Sequence, residues 1–405
     1  VSTNKTNKLI PLFDTLAHRE SASIPSDYLY QDDITHAGAF IFSYRGSSAT
    51  FNAYRREIER LLQWCEHIAK KPLGELKKQD IENYIYFCQR PYPEWIATQK
   101  CDRFLSKEGR RIPNSAWRPF VATVSKVQFS EGKRAVVKNF SLSQSAVKAI
   151  FAILSSFFNY LIQEDYVLAN PVQQMRQKSK FIRKHQSQTA IRRLSELQWC
   201  YVIETAEKMA EVDPAHERTL FMMNALFGMY LRISELASSE RWQPTMGDFF
   251  RDQDGSWWFK TVGKGNKERN ITVSNAMLEA LKRYRQALDM PSLPSPGETT
   301  LLLYRNRGNG PLSSTRQIRL IVQNCFDKAI ERMRQDGMEE DVNELRAATV
   351  HWLRHTGISE DVKHRPREHV RDDAGHGSSA ITDLYIDIEL RARHASGRKK
   401  QIKPD

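Results

Sequence analysis

Leu226-Phe-Gly-Met-Tyr-Leu-Arg232-Ile-Ser-Glu-Leu236 is the stretch on which the fold of the chain's second half turns. Its apolar residues continue those before it, and their spacing predicts one strongly apolar helix over Glu217–Ser238. A guanidinium in such surroundings must reach the surface or find an anion, because a buried unpaired charge is costly. Glu235, three residues after Arg232, is the ordinary partner on a helix. Downstream, Ser256–Val262 and Asn270–Val273 read as strands, and Gly263-Lys264-Gly-Asn266 between them is a turn signal, so the pair forms a β-hairpin. Helices are expected over Asn275–Leu288, Ser314–Met333, Val342–Gly357 and Ala380–Leu390. The domain is therefore mainly helical with a small antiparallel sheet, and it begins near Leu194.

Five further positions carry chemistry. Lys264 sits at the hairpin tip between glycines, which let a turn press close to a ligand; a solvated lysine is the plainer reading. His351-Trp-Leu-Arg354-His places His351 and Arg354 on one helical face. That pair lacks the Glu of a zinc-binding H-E-x-x-H motif, and a guanidinium would repel a cation, so the pair suits an anion or simply a polar surface. His376 stands in Ala374-Gly-His-Gly377, a glycine-rich helix boundary, and Tyr385 lies on a short helix where a tyrosine ordinarily packs.

Upstream, residues 1–30 show no sustained periodicity and read as a leader. Residues 31–175 read as a helical domain. Its periodicities are Phe51, Tyr54, Ile58, Leu61, Leu62 and Cys65; then Leu76–Phe87; then a helix from Ser141 that stops near Ala169-Asn170-Pro171. Residues 91–140 interrupt it as an insertion. Lys100–Lys138 holds ten Lys/Arg against three acids, with Phe104, Trp117, Phe120 and Phe129 interleaved. Either Lys100, Arg103, Arg110, Arg111 and Arg118 track a nucleic-acid backbone with some stacking capacity, or the aromatics tuck onto the domain. Residues 176–193 form a basic interdomain linker carrying Arg176, Lys178, Lys180, Arg183, Lys184, Arg192 and Arg193 with no acid among them, which suits DNA binding. Residues 194–390 are the second domain and 391–405 a basic tail.

Among all 405 residues, 61 Lys/Arg against 48 Asp/Glu give a net charge of +13, which favours a polyanionic partner. Five scattered cysteines contain no C-x-x-C pair, so neither a disulfide framework nor a zinc site is indicated. Val1–Leu9 is polar and basic rather than signal-like, and the longest apolar run, Leu220–Leu231, is too short to span a bilayer. The expectation is a cytoplasmic, nucleoid-associated protein of bacterial type with no membrane partner, no cofactor and no metal.

Taken together, Leu231-Arg-Ile-Ser-Glu-Leu236, Val262-Gly-Lys-Gly-Asn-Lys-Glu-Arg269, His351-Trp-Leu-Arg-His-Thr-Gly357 and Gly375-His376 followed by Tyr385 closely resemble the catalytic domain of the tyrosine recombinases, or phage integrases. Thr50–Arg90 and Ser141–Pro171 resemble the family's helical, SAM-like core-binding domain. Val370-Arg-Asp-Asp-Ala374 is more charged than the family's usual stretch at that place, and Gly377 stands where Ser is usual. The resemblance implies a C-shaped clamp of two domains on double-stranded DNA. It implies cleavage by Tyr385 as nucleophile through a 3′-phosphotyrosyl link, without ATP or metal. Arg232, Arg354 and His376 would hold the phosphate, His351 would take a proton and Lys264 would give one. It further implies a homo-tetramer on synapsed recombination sites, with accessory DNA-bending proteins or a partner recombinase as additions, serving integration, excision or transposition of a mobile element. Two rivals share parts of this set: a type IB topoisomerase-like enzyme, and a catalytically idle DNA-binding regulator.

Overall fold

Each helical periodicity of the first half becomes a helix in the computed structural model, which describes residues 9–21, 28–176, 192–263, 265–305, 308–377 and 398. Two compact units divide the chain, Val1–Ser187 and Gln188–Asp405.

In the first unit the long helices are α1 (Gln31–Ser43), α2 (Ser48–Trp64, continued by a π turn at Cys65–Ala69) and α3 (Lys78–Gln89). Next come four short strands: β1 (Ile96–Ala97), β2 (Phe104–Lys107), β3 (Arg110–Pro113) and β4 (Phe120–Val121). The helices α4 (Lys126–Ser130), α5 (Gln144–Gln163) and α6 (Pro171–Arg176) complete the unit. The starts are capped as the sequence allows. Ser143 Oγ accepts from Ala146 N at 3.2 Å, and Asn170 Oδ1 accepts from Val172 N at 3.0 Å. Asn170-Pro171 therefore opens α6, with proline at a first-turn position that needs no N–H donor. By length and composition α5 is apolar enough to cross a membrane, but one face of it, including Phe151, Leu154 and Phe158, is buried in this unit's core.

The leader reading is corrected here. Leu12 and Asp14 are buried, Leu12 N and Phe13 N donate to Glu59, and Ile10 O accepts from Gln63 at 2.6 Å. Residues 9–15 thus satisfy polar groups of α2 and belong to the unit. Within the insertion, Phe104, Trp117 and Phe120 are buried, whereas Phe129 is exposed with Arg134 over its ring. The tucked arrangement holds for three of the four aromatics.

The second unit comprises α7 (Glu196–Val212), α8 (Glu217–Gly228), α9 (Ile233–Leu236), β5 (Phe249–Arg251), β6 (Trp257–Val262) and β7 (Glu268–Thr272). It continues with α10 (Asn275–Gln286), α11 (Thr315–Gln335), α12 (Glu339–Leu345), α13 (Val350–Asp361) and α14 (Arg367–Ala374). The three strands form one antiparallel sheet in the order β5-β6-β7, with Phe259 opposite Ile271 in the hairpin. The mainly helical fold with a small antiparallel sheet is as expected. Two expected helices are each broken. Glu217–Ser238 divides into α8 and α9, and Val342–Gly357 divides into α12 and α13. Helix α13 lies tight against α8, because a Cβ at Gly357 would overlap the Phe227 carbonyl. The expected helix over Ala380–Leu390 and the tail, apart from residue 398, lie outside the described residues.

Candidate active site

The break between α8 and α9 builds the site. Tyr230 turns the chain with φ 50°, a left-handed conformation uncommon for a residue with a Cβ. The turn places Arg232 at the N-cap of α9 rather than inside a helix. Glu235 has no exposed surface, and its carboxylate gathers two arginines. Arg269, from β7, meets it with two parallel bonds, Nη1–Oε1 and Nη2–Oε2, both 2.8 Å. Arg232 adds Nη1–Oε1 at 3.0 Å, and its backbone N–H donates to Oε2 at 2.8 Å. Burial alone would raise the Glu235 pKa, but Arg269, the Arg232 N–H and the Arg232 charge outweigh it and the pKa is lowered. The i,i+3 partnership of Arg232 and Glu235 is therefore real, and it is part of a larger cluster.

The end of α14 closes that cluster. Three consecutive carbonyls take three arginines. Asp373 O accepts from Arg269 Nε at 3.0 Å, Ala374 O from Arg354 Nη2 at 2.5 Å, and Gly375 O from Arg232 Nη2 at 3.2 Å. Arg354 also donates to Tyr230 O, which holds its buried guanidinium between the α8–α9 turn and the α14 turn. Gly375 ends α14 with φ 63°, and a Cβ there would crowd Arg269 Cδ at 2.9 Å, so both conformation and space call for glycine. His376 follows at once. Its pKa is pushed down to about 4 by burial, then by the charges of Arg354 and Arg232. His355 is likewise pushed down to about 4 by burial, with Arg354 and His351 adding to it. His351 is solvent-exposed on the first turn of α13, and its pKa is lowered by partial desolvation and by Arg354, Arg319 and Arg232. At neutral pH the site thus presents uncharged imidazoles beside permanently charged guanidiniums, a field that favours an anion.

Much of the charged segment before Gly375 is paired within the unit. Arg365 binds Asp373 Oδ2 at 2.6 Å, Asp361 Oδ2 at 3.1 Å and Tyr230 Oη at 3.0 Å. Asp373 Oδ1 accepts from Thr272 N at 3.1 Å. The turn carrying His376 is thereby tied to β7, to α13 and to the strained Tyr230.

Four of the six residues read as catalytic converge here: Arg232, His351, Arg354 and His376. Lys264 and Tyr385 lie outside the described residues. Arg269, His355 and Asp373 are the contributors that sequence reasoning passed over, although Arg269 and His355 stand inside the quoted motifs; Glu235 was read only as the partner of Arg232, and its bond to Arg269 was not foreseen. No cluster of metal-ligating residues occurs among the described residues.

Of the positions read as DNA contacts, two are engaged within the unit. Arg111 is held bidentately by Asp14, at 2.8 and 2.9 Å. Arg103 is paired with Glu59 and lies over the Trp117 ring. Both rivet the insertion to its own unit. Arg118 is half-buried and donates to the Ser115 and Trp117 carbonyls at 2.8 and 2.7 Å. Lys100, Arg110 and Arg192 are exposed and Arg193 is half-buried. The Arg176 side chain, Lys178, Lys180, Arg183 and Lys184 lie outside the described residues.

Residues 192–391 match the phage integrase family. A tyrosine recombinase XerC of Thermodesulfovibrio yellowstonii is 28% identical over 258 residues, covering 62% of this chain and 73% of that one. Among solved structures, the XerH site-specific recombinase bound to a palindromic difH substrate, a post-cleavage complex, aligns with a TM-score of 0.55 at 12% identity, over 95% of this chain and 93% of that one. A lambda integrase tetramer bound to a Holliday junction aligns with a TM-score of 0.51 at 13% identity, over 94% and 81%. The structural likenesses carry the fold. The second unit, matched over residues 192–391, belongs to the phage integrase family of tyrosine recombinases.

Proposed function

We propose that the protein is a site-specific DNA recombinase that cuts and rejoins duplex DNA through Tyr385, in the service of a mobile element. The observation that carries this reading is the clamping of Arg232, Arg269 and Arg354 on the consecutive carbonyls of residues 373–375, beside His376. A cluster so rich in guanidinium, balanced in its interior by the carboxylate of Glu235, is preorganised for an incoming anion. A phosphodiester has the matching planar pair of oxygens.

The reaction then balances as follows. The Tyr385 oxygen attacks phosphorus and its proton passes to His351, whose lowered pKa keeps it unprotonated and able to accept. The bond to the 5′-oxygen breaks, and Lys264 supplies the proton that makes that oxygen a leaving group. Arg232 and Arg354 meet the charge that builds on the non-bridging oxygens, and neutral His376 donates one more hydrogen bond. The product is a 3′-phosphotyrosyl link and a free 5′-hydroxyl. Reversal with a different 5′-hydroxyl exchanges strands with no external energy source. Both units would contact the duplex, and four subunits would synapse two sites, an assembly supported by the lambda integrase tetramer's likeness in fold.

The test is incubation of the full chain with supercoiled plasmids carrying two candidate sites. Recombinant product plus a DNA adduct that survives denaturation supports the reading. Relaxation without exchange would make the protein topoisomerase-like, and DNA binding without an adduct would make it a regulator.

A further inference from the structure

The insertion contains a two-stranded ribbon with two chemically different faces. Strands β2 and β3 pair in the register Phe104↔Pro113, Leu105↔Ile112, Ser106↔Arg111 and Lys107↔Arg110. Side chains alternate across a strand, so Phe104, Ser106, Arg111 and Pro113 share one face while Leu105, Lys107, Arg110 and Ile112 share the other. The first face is spent on the unit: Phe104 is buried, and Arg111 binds Asp14 and also Ser106 Oγ at 3.2 Å. All four residues of the second face are exposed. Leu105 keeps 47% and Ile112 42% of their surface, and neither Lys107 nor Arg110 has an ion-pair partner among the described residues. The tip is a two-residue turn, Glu108 and Gly109, with φ of 50° and 75°. That turn matches the twist of the strands and makes a stiff hairpin.

We propose that this outward face, Leu105, Lys107, Arg110 and Ile112, enters a groove of duplex DNA, with the basic pair at the tip on the phosphates and the aliphatic pair behind it against sugars and base edges. The inference rests on the DNA-recombinase reading and adds a groove contact to it. A two-stranded ribbon fits the major groove of B-DNA. Unpaired cations at the tip match a groove walled by phosphate, and the segment Lys100–Lys138 carries ten basic residues against three acidic ones. A protein partner fits less well. A stable protein interface buries about 800 Å² on each side, and a face of four side chains offers far less. A groove contact need only add to a footprint made elsewhere. Arg103 and Arg111 act in this arrangement as anchors that aim the ribbon, and not as phosphate contacts.

The experiment uses the full chain and a duplex selected from a random pool by the parent protein. Two surface double variants are compared with the parent, K107Q/R110Q and L105S/I112S, after thermal melting shows that all three are folded. Loss of two phosphate contacts should lower the slope of log affinity against log salt by about 1.8. L105S/I112S should bind about tenfold more weakly at an unchanged slope, and should lose protection of a short run of bases from methylation. Parental slope, affinity and protection in both variants would overturn the proposal. A change confined to self-association in sedimentation would overturn it in favour of a protein contact. A parent that forms its covalent adduct while both variants bind like it sinks this inference alone. A parent that binds but never forms the adduct sinks the recombinase reading and leaves the groove contact standing or falling on the variants' slopes.

Discussion

Replacing Glu235 with Gln changes one oxygen for one NH2 group at the centre of the guanidinium cluster. In the parent the carboxylate accepts two bonds from Arg269, one from Arg232 Nη1 and one from the Arg232 backbone N–H. In the variant one terminal atom becomes a donor facing donors, and two guanidiniums lose their shared counter-charge. Removing one partner of a buried ion pair costs about 3–5 kcal/mol, because the remaining charge is left uncompensated. For a unit of this size, residues 188–405, each kcal/mol moves the melting temperature by about 2–4 °C. The expected drop at pH 7 is therefore about 6–20 °C by differential scanning calorimetry. Glu217 is the matched control. It pairs with Arg283 at 2.7 Å, but the Arg283 side chain is 42% exposed, so Glu217→Gln should cost about 0–1 kcal/mol. The pH dependence has a definite sign. The folded Glu235 pKa is depressed, so its contribution is present above the unfolded carboxyl value of about 4.3 and is lost as pH falls through the lower folded value. The gap between parent and Glu235→Gln should close only in that acid range. Equal melting of the Glu235 and Glu217 variants at pH 7 would refute the account of the cluster.

Three further outcomes follow from the site. Lys264→Ala should slow cleavage of ordinary DNA and be largely rescued when the leaving 5′-oxygen is replaced by sulfur, since a thiolate leaves without a proton; an equal defect on both substrates would remove Lys264 from the acid role. Neutralising Arg183, Lys184, Arg192 and Arg193 together should lower the salt slope of DNA binding by up to about 3.6, if each meets a phosphate. Cleavage at saturating protein should stay near the parental rate; an unchanged slope would place these residues away from DNA. His355 and His376, both held at about 4 by burial and neighbouring positive charge, resist protonation in the folded state. The unfolded chain takes up those protons near pH 6.5, so melting temperature should fall steadily from pH 6.5 towards 4, a trend that flat melting over that range would contradict.

What the sequence shows plainly is what repeats locally. The hairpin was legible because its strands flank a glycine-rich turn. The pairing of His351 with Arg354 was legible because three residues bring side chains onto one helical face. The break after Gly228 was not. Met229, Tyr230 and Leu231 are all buried, so the connection is as apolar as the helices it joins and leaves no polar gap in the pattern. Thr349 starts α13 without a glycine or proline to announce it. Residues 9–15 read as a leader because one buried leucine and a run of backbone bonds to α2 have no period. The roles of Glu235 and Arg269 are set by contacts across 34 positions, which no local window contains. Within Val370–Ala374, the stretch more charged than the family's usual one, Asp373 is neutralised by Arg365, which also binds Asp361 and Tyr230, contacts that no local pattern announces.

The central claim is that Tyr385 becomes joined to DNA. The direct measurement is digestion of the denatured protein–DNA adduct, formed on a nicked duplex that traps the cleaved strand, followed by mass spectrometry of the nucleotide-bearing peptide. The account predicts a phosphodiester link at Tyr385, on a peptide that disappears in Tyr385→Phe while DNA affinity stays near parental. A link mapped to any other residue, or an undiminished adduct from Tyr385→Phe, would contradict it.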